Sequence, residues 1–359
     1  MHVGIDLGTS HLRAAWMDRR AETFVDEPAV VALSASGHPT IGREAEAMIG
    51  RHPDAIRVVR PVDGGIVRDF DATVLLIQHA IRRLGAEGLG RRLTITLAVP
   101  SGQSQVDRKA MEEAARSAGA RAVQFVESSI AAAVGAELPI HQPTGCLVVQ
   151  MGGGVTEAAL LSMGGIVDSR SLRMGGQALD TEIAELLRRQ YSFLIGQPSA
   201  QHLKHQASGG QGASATPGDI LEVRGRNLET GMPGTLSVPR ALVEQVIDAH
   251  IERMVQLIRE AIEACPPELV GDILDHGVIL TGGGAQMGRA VSRLAAQVEV
   301  PVAAADNPSA CVVRGLTRML HPRAVRPARR FASWRASLNL STLPVPPIRR
   351  WIGRSGTRE

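Results

Sequence analysis

Three glycine-rich turns carry most of the chemistry this sequence could perform. They are Asp6-Leu7-Gly8-Thr9-Ser10, Gln150-Met151-Gly152-Gly153-Gly154-Val155 and Thr281-Gly282-Gly283-Gly284-Ala285. Apolar runs flank the first two, which reads as strand, tight turn, strand. The third follows a buried apolar run and precedes a helical pattern, a good place for a nucleoside or its phosphates. Glycine at such turns lets backbone N–H groups approach a phosphate with no side chain in the way. One glycine turn alone is a simple hairpin. Three in this order, with one at the head of each half, point to an internally duplicated domain closing on a nucleotide. A metal–nucleotide site of this kind wants a carboxylate entering each turn. Asp6 supplies the first, whereas the second position holds Gln150, which is neutral and cannot act as a base.

The elements that must position these turns follow from hydrophobic spacing. Residues 3–5 and 12–16 form the first hairpin, and residues 27–33 are strand-like. Helices are predicted over 43–50, 71–84, 106–118, 129–136, 181–190, 240–264 and 289–297, with 311–320 closing the fold. Residues 93–102 and 277–285 read as buried strands running into turns. Further strands are predicted over 123–126, 166–173 and 236–238. Residues 139–145 form the hinge between halves, and 208–218, rich in Ser, Gly and Ala, a flexible loop.

The 359 residues allow two domains with real cores, and the 3% aromatic content makes packing rely on Ala, Val, Leu and Ile. No run approaches the roughly 20 apolar residues of a membrane span, and the N-terminus lacks the pattern of a secretory signal. Cys146, Cys265 and Cys311 are isolated in apolar surroundings, as expected of reduced core residues in a cytosolic protein. The net charge of +3 is unevenly spread. From His321 onward nine arginines face Glu359 alone, about +8, which leaves about −5 on the rest.

These residues resemble the actin–chaperone–sugar-kinase superfamily, and within it the MreB family of bacterial actin homologues. The similarity runs from about Val3 to Leu320. DLGTS, EPAVVAL, GREAEAMIGR, RPVDGGIVRDF, VPSG, AAAVGAELPIHQPTG, GGIVDSRSLRMGG and PPELVGDILDHGVILTGGGA follow the family pattern in order. The resemblance implies an α/β actin-like ATPase fold: two duplicated, ribonuclease H-like domains around a nucleotide cleft, each with a small subdomain. Domain I would be residues 1–143, with a small subdomain at about 25–60, completed by about 306–320. Domain II would be 144–305, with a small subdomain at about 191–238, and 321–359 a basic tail.

Carried over residue by residue, the resemblance gives nucleotide contacts at Gly8, Thr9, Ser10 and His11, at Gly152, Gly153 and Gly154, and at Gly282, Gly283, Gly284 and Ala285. The family's nucleoside stretch falls on Gln201, His202, Leu203 and Lys204, of which only the lysine is retained. ATP or ADP would bind with Mg²⁺, held by Asp6 through water. Three departures meet at the same cleft. Ser128 stands where the family has the glutamate that positions the attacking water, Gln150 replaces the second aspartate, and Val155 replaces a threonine beside the γ-phosphate. Glu127 is an alternative for the lost glutamate, though a regular backbone turns it the other way. A positioned base contributes ~10²–10⁴-fold, so the expectation is nucleotide binding with weak or absent hydrolysis.

The implied function is a filament-forming cytoskeletal protein that scaffolds cell-wall synthesis and shape determination. Its partners would be copies of itself, wall-synthesis and shape proteins, and the inner face of the cytoplasmic membrane. That gives a cytoplasmic, membrane-peripheral location. The alternatives are a non-polymerising binding module and a small-molecule kinase of the same superfamily. The tail mixes its arginines with Phe331, Trp334, Leu338, Leu340, Leu343, Ile348, Trp351 and Ile352. That composition suits an anionic lipid headgroup surface. The family's apolar membrane loop before Leu93 is weak here, with only Leu89. No nucleic acid is expected, because no binding module accompanies the charge.

Overall fold

The computed structural model describes residues 1–17, 22–34, 37–86, 93–209 and 219–320. The expectations for Leu89, the tail and most of the 208–218 loop lie outside these residues.

The first half opens with β1 (His2–Leu7), β2 (His11–Met17) and β3 (Glu22–Pro28), an antiparallel meander. A small sheet follows from β4 (Val31–Ser34), β5 (Thr40–Ile41) and, after α1 (Arg43–Ala47), β6 (Ile56–Val59). The chain returns through the tight hairpin of β7 (Val62–Asp63) and β8 (Ile66–Val67). It continues with α2 (Phe70–Arg83), β9 (Thr94–Val99), α3 (Gln105–Ser117), β10 (Ala122–Glu127) and α4 (Ser128–Gly135). Strands β9 and β10 add in parallel beside β1, giving the order β10-β9-β1-β2-β3.

The second half repeats this arrangement. Its meander is β11 (Cys146–Met151), β12 (Thr156–Ser162) and β13 (Gly165–Leu172). Next come α5 (Gly176–Tyr191), β14 (Phe193–Leu194), α6 (Gln197–Ser208), β15 (Ile220–Asn227), β16 (Pro233–Pro239), α7 (Arg240–Glu263) and α8 (Pro267–His276). The chain then runs through β17 (Val278–Thr281), α9 (Gly288–Gln297), β18 (Val302–Ala304) and α10 (Cys311–Leu320). The sheet order is β13-β12-β11-β17-β18, again an antiparallel meander extended by two parallel strands. The duplication inferred from the paired turns is therefore a duplication of sheet topology. Strands β14, β15 and β16 form a second small sheet.

Helix α10 crosses back onto the first half, packing on α4, β1 and β2. The approach is backbone to backbone: a β-carbon on Gly135 would collide with the Cys311 carbonyl, and one on Gly315 with that of Ala131. The α4 run Ser-Ser-Ile-Ala-Ala-Ala-Val-Gly suits such a contact, because small residues let two helix axes come close. Local capping starts α2 and α3, where Asp69 accepts from Ala72 N and Ser104 from Asp107 N. The Glu112–Arg116 pair on α3 closes at 2.7 Å with both side chains well exposed, an ordinary surface pair. The three cysteines are buried and free, and burial pushes the Cys146 thiol up to about 12. No described helix is long and apolar enough to cross a membrane.

Several elements differ from the sequence reading: α8, β14 and β18 had no predicted counterpart, and the strand expected over 27–33 is split between β3 and β4. Helix α5 begins at Gly176, five residues before the predicted start, because its first N–H groups find acceptors outside the helix. Residues 197–208 form α6, and 220–227 form β15. Both had been left without an element, since their polar faces dilute the periodic signal.

Candidate functional site

The three glycine turns converge between the two halves. In the first turn, Gly8 N donates to His11 O at 2.9 Å, closing the β1–β2 hairpin. Thr9 is buried, and its Oγ1 accepts from Gly64 N at 2.9 Å. The second turn lies directly on the first. A β-carbon on Gly153 would run into the Ser10 hydroxyl, and one on Gly154 into Thr9 Oγ1 and Asp63. The third turn packs against the strand that leads into the second. Gly282, at φ +82°, presses its α-carbon on the Met151 carbonyl, and Gly284 presses on the Met151 side chain. Gly283 meets nothing within 4 Å, so its backbone is open to a ligand. Ala285 is buried beneath it.

Helix α5 points its amino end at the second turn. Gly176 N donates to Gly152 O at 3.0 Å, and Gln177 N to Gly153 O at 2.9 Å. These carbonyls cap a helix that has no side-chain cap, which explains its early start. Gln177 then reaches across the cleft, with Nε2 3.3 Å from Ser10 Oγ. The β7–β8 hairpin wedges in from the other side. Its Gly64-Gly65 corner has φ +56° and +82°, the left-handed pair that a two-residue turn of this type needs. Gly64 faces Val155, and Gln103 Nε2 holds Gly65 O at 2.6 Å. Asp63, Gly64 and Gln177 were missed in the sequence reading, although Asp-Gly-Gly between Val62 and Ile66-Val67 was a usable hairpin signal.

Asp6 sits on β1 directly across from Arg13, which itself bonds Asp26 at 3.2 Å. Burial pushes the Asp6 carboxyl up to about 6, with Arg13 opposing and Asp26 assisting. An acid whose folded value is raised gives stability below its unfolded value and loses it as pH rises through the folded value. The ionised Asp6 at neutral pH thus costs up to about 3 kcal/mol. Asp6→Asn should gain about 1–3 kcal/mol at pH 7 and nothing near pH 4. Urea unfolding at the two pH values measures this, and a variant less stable at pH 7 would contradict it. His11 is half-buried, and burial together with Arg13 lowers its imidazole below the usual value.

Gln150 faces Glu157 across the β11–β12 pair and Thr281 across β11–β17. Its Oε1 is buried with no hydrogen-bond partner. Glu157 is a buried carboxylate the sequence reading overlooked. It accepts from Ser101 Oγ at 2.5 Å and Ser101 N at 3.2 Å, and Ser101 Oγ lies 3.1 Å from Ser129 Oγ. Burial raises the Glu157 carboxyl, partly offset by these serine bonds. Ser128, first residue of α4, is buried beside this cluster. Glu127 pairs with Arg108 at 3.1 Å and stays near enough to Glu157 to help raise its carboxyl.

The helical period of α6 sends the nucleoside stretch in several directions. Gln201 lines a cavity of about 310 Å³ between α6 and α1. His202 is exposed, and Leu203 is fully buried in the second half's core. Lys204 is buried, with Nζ 2.7 Å from Asp180 Oδ1 and 2.9 Å from Gly176 O. Asp180 lies inside α5 as the partner of Lys204.

Comparison with known proteins gives one family. The model of the MreB/Mbl protein family matches residues 1–326. The cell shape-determining protein Mbl of Bacillus subtilis (strain 168) is 36% identical over 335 residues, covering 92% of this chain and 98% of that protein. The cell shape-determining protein MreB of Escherichia coli (strain K12) is 37% identical over 323 residues, covering 87% and 91%. Among solved structures, MreB5 of Spiroplasma citri bound to AMPPNP aligns with a TM-score of 0.82 at 28% identity, over 90% of this chain and 96% of that one. The MamK double helical filament aligns at 0.73 with 19% identity, covering 89% and 98%, which shows the shared actin-like fold.

Proposed function

Because the chain belongs to the MreB/Mbl family of cell shape-determining, actin-like proteins, we propose that it binds ATP or ADP between its two halves, forms filaments, and turns nucleotide over slowly. The observation that carries this reading is the convergence of three glycine turns on one cleft that lacks a free carboxylate at Gln150 and Ser128. In the MreB5 structures the same fold holds AMPPNP and ADP. Residues 1–143 with 306–320 would form one half and 144–305 the other. Family membership disfavours a small-molecule kinase.

The residues fit a magnesium–nucleotide complex held chiefly by phosphate oxygens and water. Among the described residues no group of three His, Cys, Asp or Glu is placed to hold a metal. The buried, unpartnered Gln150 Oε1 needs a donor, which a metal-bound water would supply. Asp6 would act through water, and a cation beside it would offset its cost of ionisation. When bound, Mg²⁺ neutralises charge on the phosphates. The chain itself supplies orientation, through the glycine turns, Gln177 and the Thr9 hydroxyl.

The tail adds a membrane-facing role, supported by its nine arginines interleaved with Trp and Leu. Three measurements test the whole reading. Calorimetry with ADP and AMPPNP should give saturable binding, and electron microscopy with nucleotide should show filaments. Protein floated with anionic vesicles should stay down in high salt and after truncation at Leu320. Monomers alone at high concentration, with nucleotide and lipid present, would reject the filament claim. Flotation unchanged by truncation would reject the tail claim.

A further inference from the structure

Arg60 leaves β6 toward the β7–β8 hairpin, and its bonding is incomplete. Its side chain is only 17% exposed. One terminal nitrogen donates to Ser10 O at 3.4 Å, and the other lies 3.5 Å from Glu46 Oε1, both long contacts. The buried Nε has no hydrogen-bond partner. A guanidinium carries five N–H donors in a fixed fork, and leaving them unpaired away from water is costly. Burial lowers the Arg60 pKa, opposed by Glu46 and by the more distant Asp180, so its charge is felt on both sides of the cleft.

Arg60 also lines the cavity of about 310 Å³, across from Gln197 and Gln201 of α6. Arg43 and Arg51 line it as well, against Glu46 as the single acid. Arg43 also lies 3.8 Å from Glu27, which leaves Arg51 and Arg60 against Glu46 and a lining still weighted toward positive charge. The Ser10 contact puts the guanidinium at the lip of the first glycine turn.

We propose that Arg60 is a phosphate ligand, closing from the small sheet of the first half onto the polyphosphate of a nucleoside di- or triphosphate lying across Ser10. This rests on the nucleotide-binding reading above. The planar fork suits two phosphate oxygens at once, whereas lysine would offer a point charge. Glu46 holds the guanidinium in reserve and competes with the ligand for it.

The test is calorimetry of the full chain with Mg-ADP and Mg-AMPPNP. Arg60→Ala should weaken both by about 10–100-fold, the range for hydrogen bonds to charged groups. Arg60→Lys should recover part of that loss. Glu46→Gln should bind as tightly as the wild type or more tightly. If the Arg60–Glu46 pair only holds the fold together, Glu46→Gln will lose affinity along with Arg60→Ala, and the proposal is overturned. It is also overturned if wild type binds and Arg60→Ala binds equally well. A wild type that binds neither nucleotide rejects the nucleotide reading and this inference with it. Should Arg60→Ala fail to fold by circular dichroism, the opposite signs expected for Arg60→Lys and Glu46→Gln decide the matter.

Discussion

Gln150→Asp combined with Ser128→Glu is expected to raise phosphate release by about 10²-fold or more, the lower end of what a positioned base contributes. The physical basis is the inventory of carboxylates around the cleft. Asp180 is bound to Lys204, Glu127 to Arg108, and Glu157 to Ser101. Asp63, beside Gly154, is half exposed with Arg68 3.5 Å away, and burial pushes Asp6 up to about 6. None of these carboxylates stands at position 150 or 128. Residue 128 opens α4, where a carboxylate is favoured by the helix dipole. Residue 150 already carries an unpartnered side-chain oxygen, and Asp there adds a charge on a side chain one methylene shorter. The crowding of new acids near Glu157 would raise their pKa values toward neutral, which suits a base. Turnover should also become more dependent on Mg²⁺, because the second carboxylate returns. The measurement is steady-state phosphate release beside nucleotide affinity. A double variant that binds nucleotide yet releases phosphate no faster than the wild type would refute the account.

Lys204→Met should cost about 3–5 kcal/mol of stability, the usual penalty for removing one partner of a buried ion pair. Lys204 and Asp180 side chains are 7% and 4% exposed, and their oxygen–nitrogen distance is 2.7 Å. Lys204 also holds the Gly176 carbonyl, at the start of the helix whose N–H groups cap the second glycine turn. Its loss would therefore loosen the turn as well as the helix pair. Burial already raises the Asp180 carboxyl against the pull of Lys204, and without the lysine it rises further. A group with a raised folded value stabilises only where it is protonated, so the deficit should shrink as the pH falls. Lys204→Met with Asp180→Leu should recover most of the stability, since no charge then stays buried. Urea unfolding at pH 7 and pH 5 reads all three values. A loss below about 1 kcal/mol for the single variant would show that the pair is not buried in solution.

The features legible in the sequence were those that depend on neighbours a few residues away. A glycine turn between two apolar runs is a local pattern, so Gly8, Gly153 and Gly283 could be placed at strand ends and read in order. The reading of Gln150, Ser128 and Val155 as departures from the family pattern rests on the same kind of signal, a fixed offset from a motif. The duplication followed from two such turns heading two halves, and the matching sheet orders bear that out.

What the sequence left open depends on where distant backbones cross. Gly64 reaches Thr9 across 55 residues, and Gln177 reaches Ser10 across 167. No periodicity encodes such pairs, because they are set by the register of two sheets and the hairpin wedged between them. Lys204 reads as a ligand from its motif, but α6 directs its ammonium into Asp180 and the start of α5. Glu127 reads as a spare acid until the β10–α4 corner turns it toward Arg108. Arg60 carries no local mark beyond a charge before a proline. Only the folded chain buries it beside Ser10 with donors to spare, because desolvation is a property of the surroundings and not of the residue.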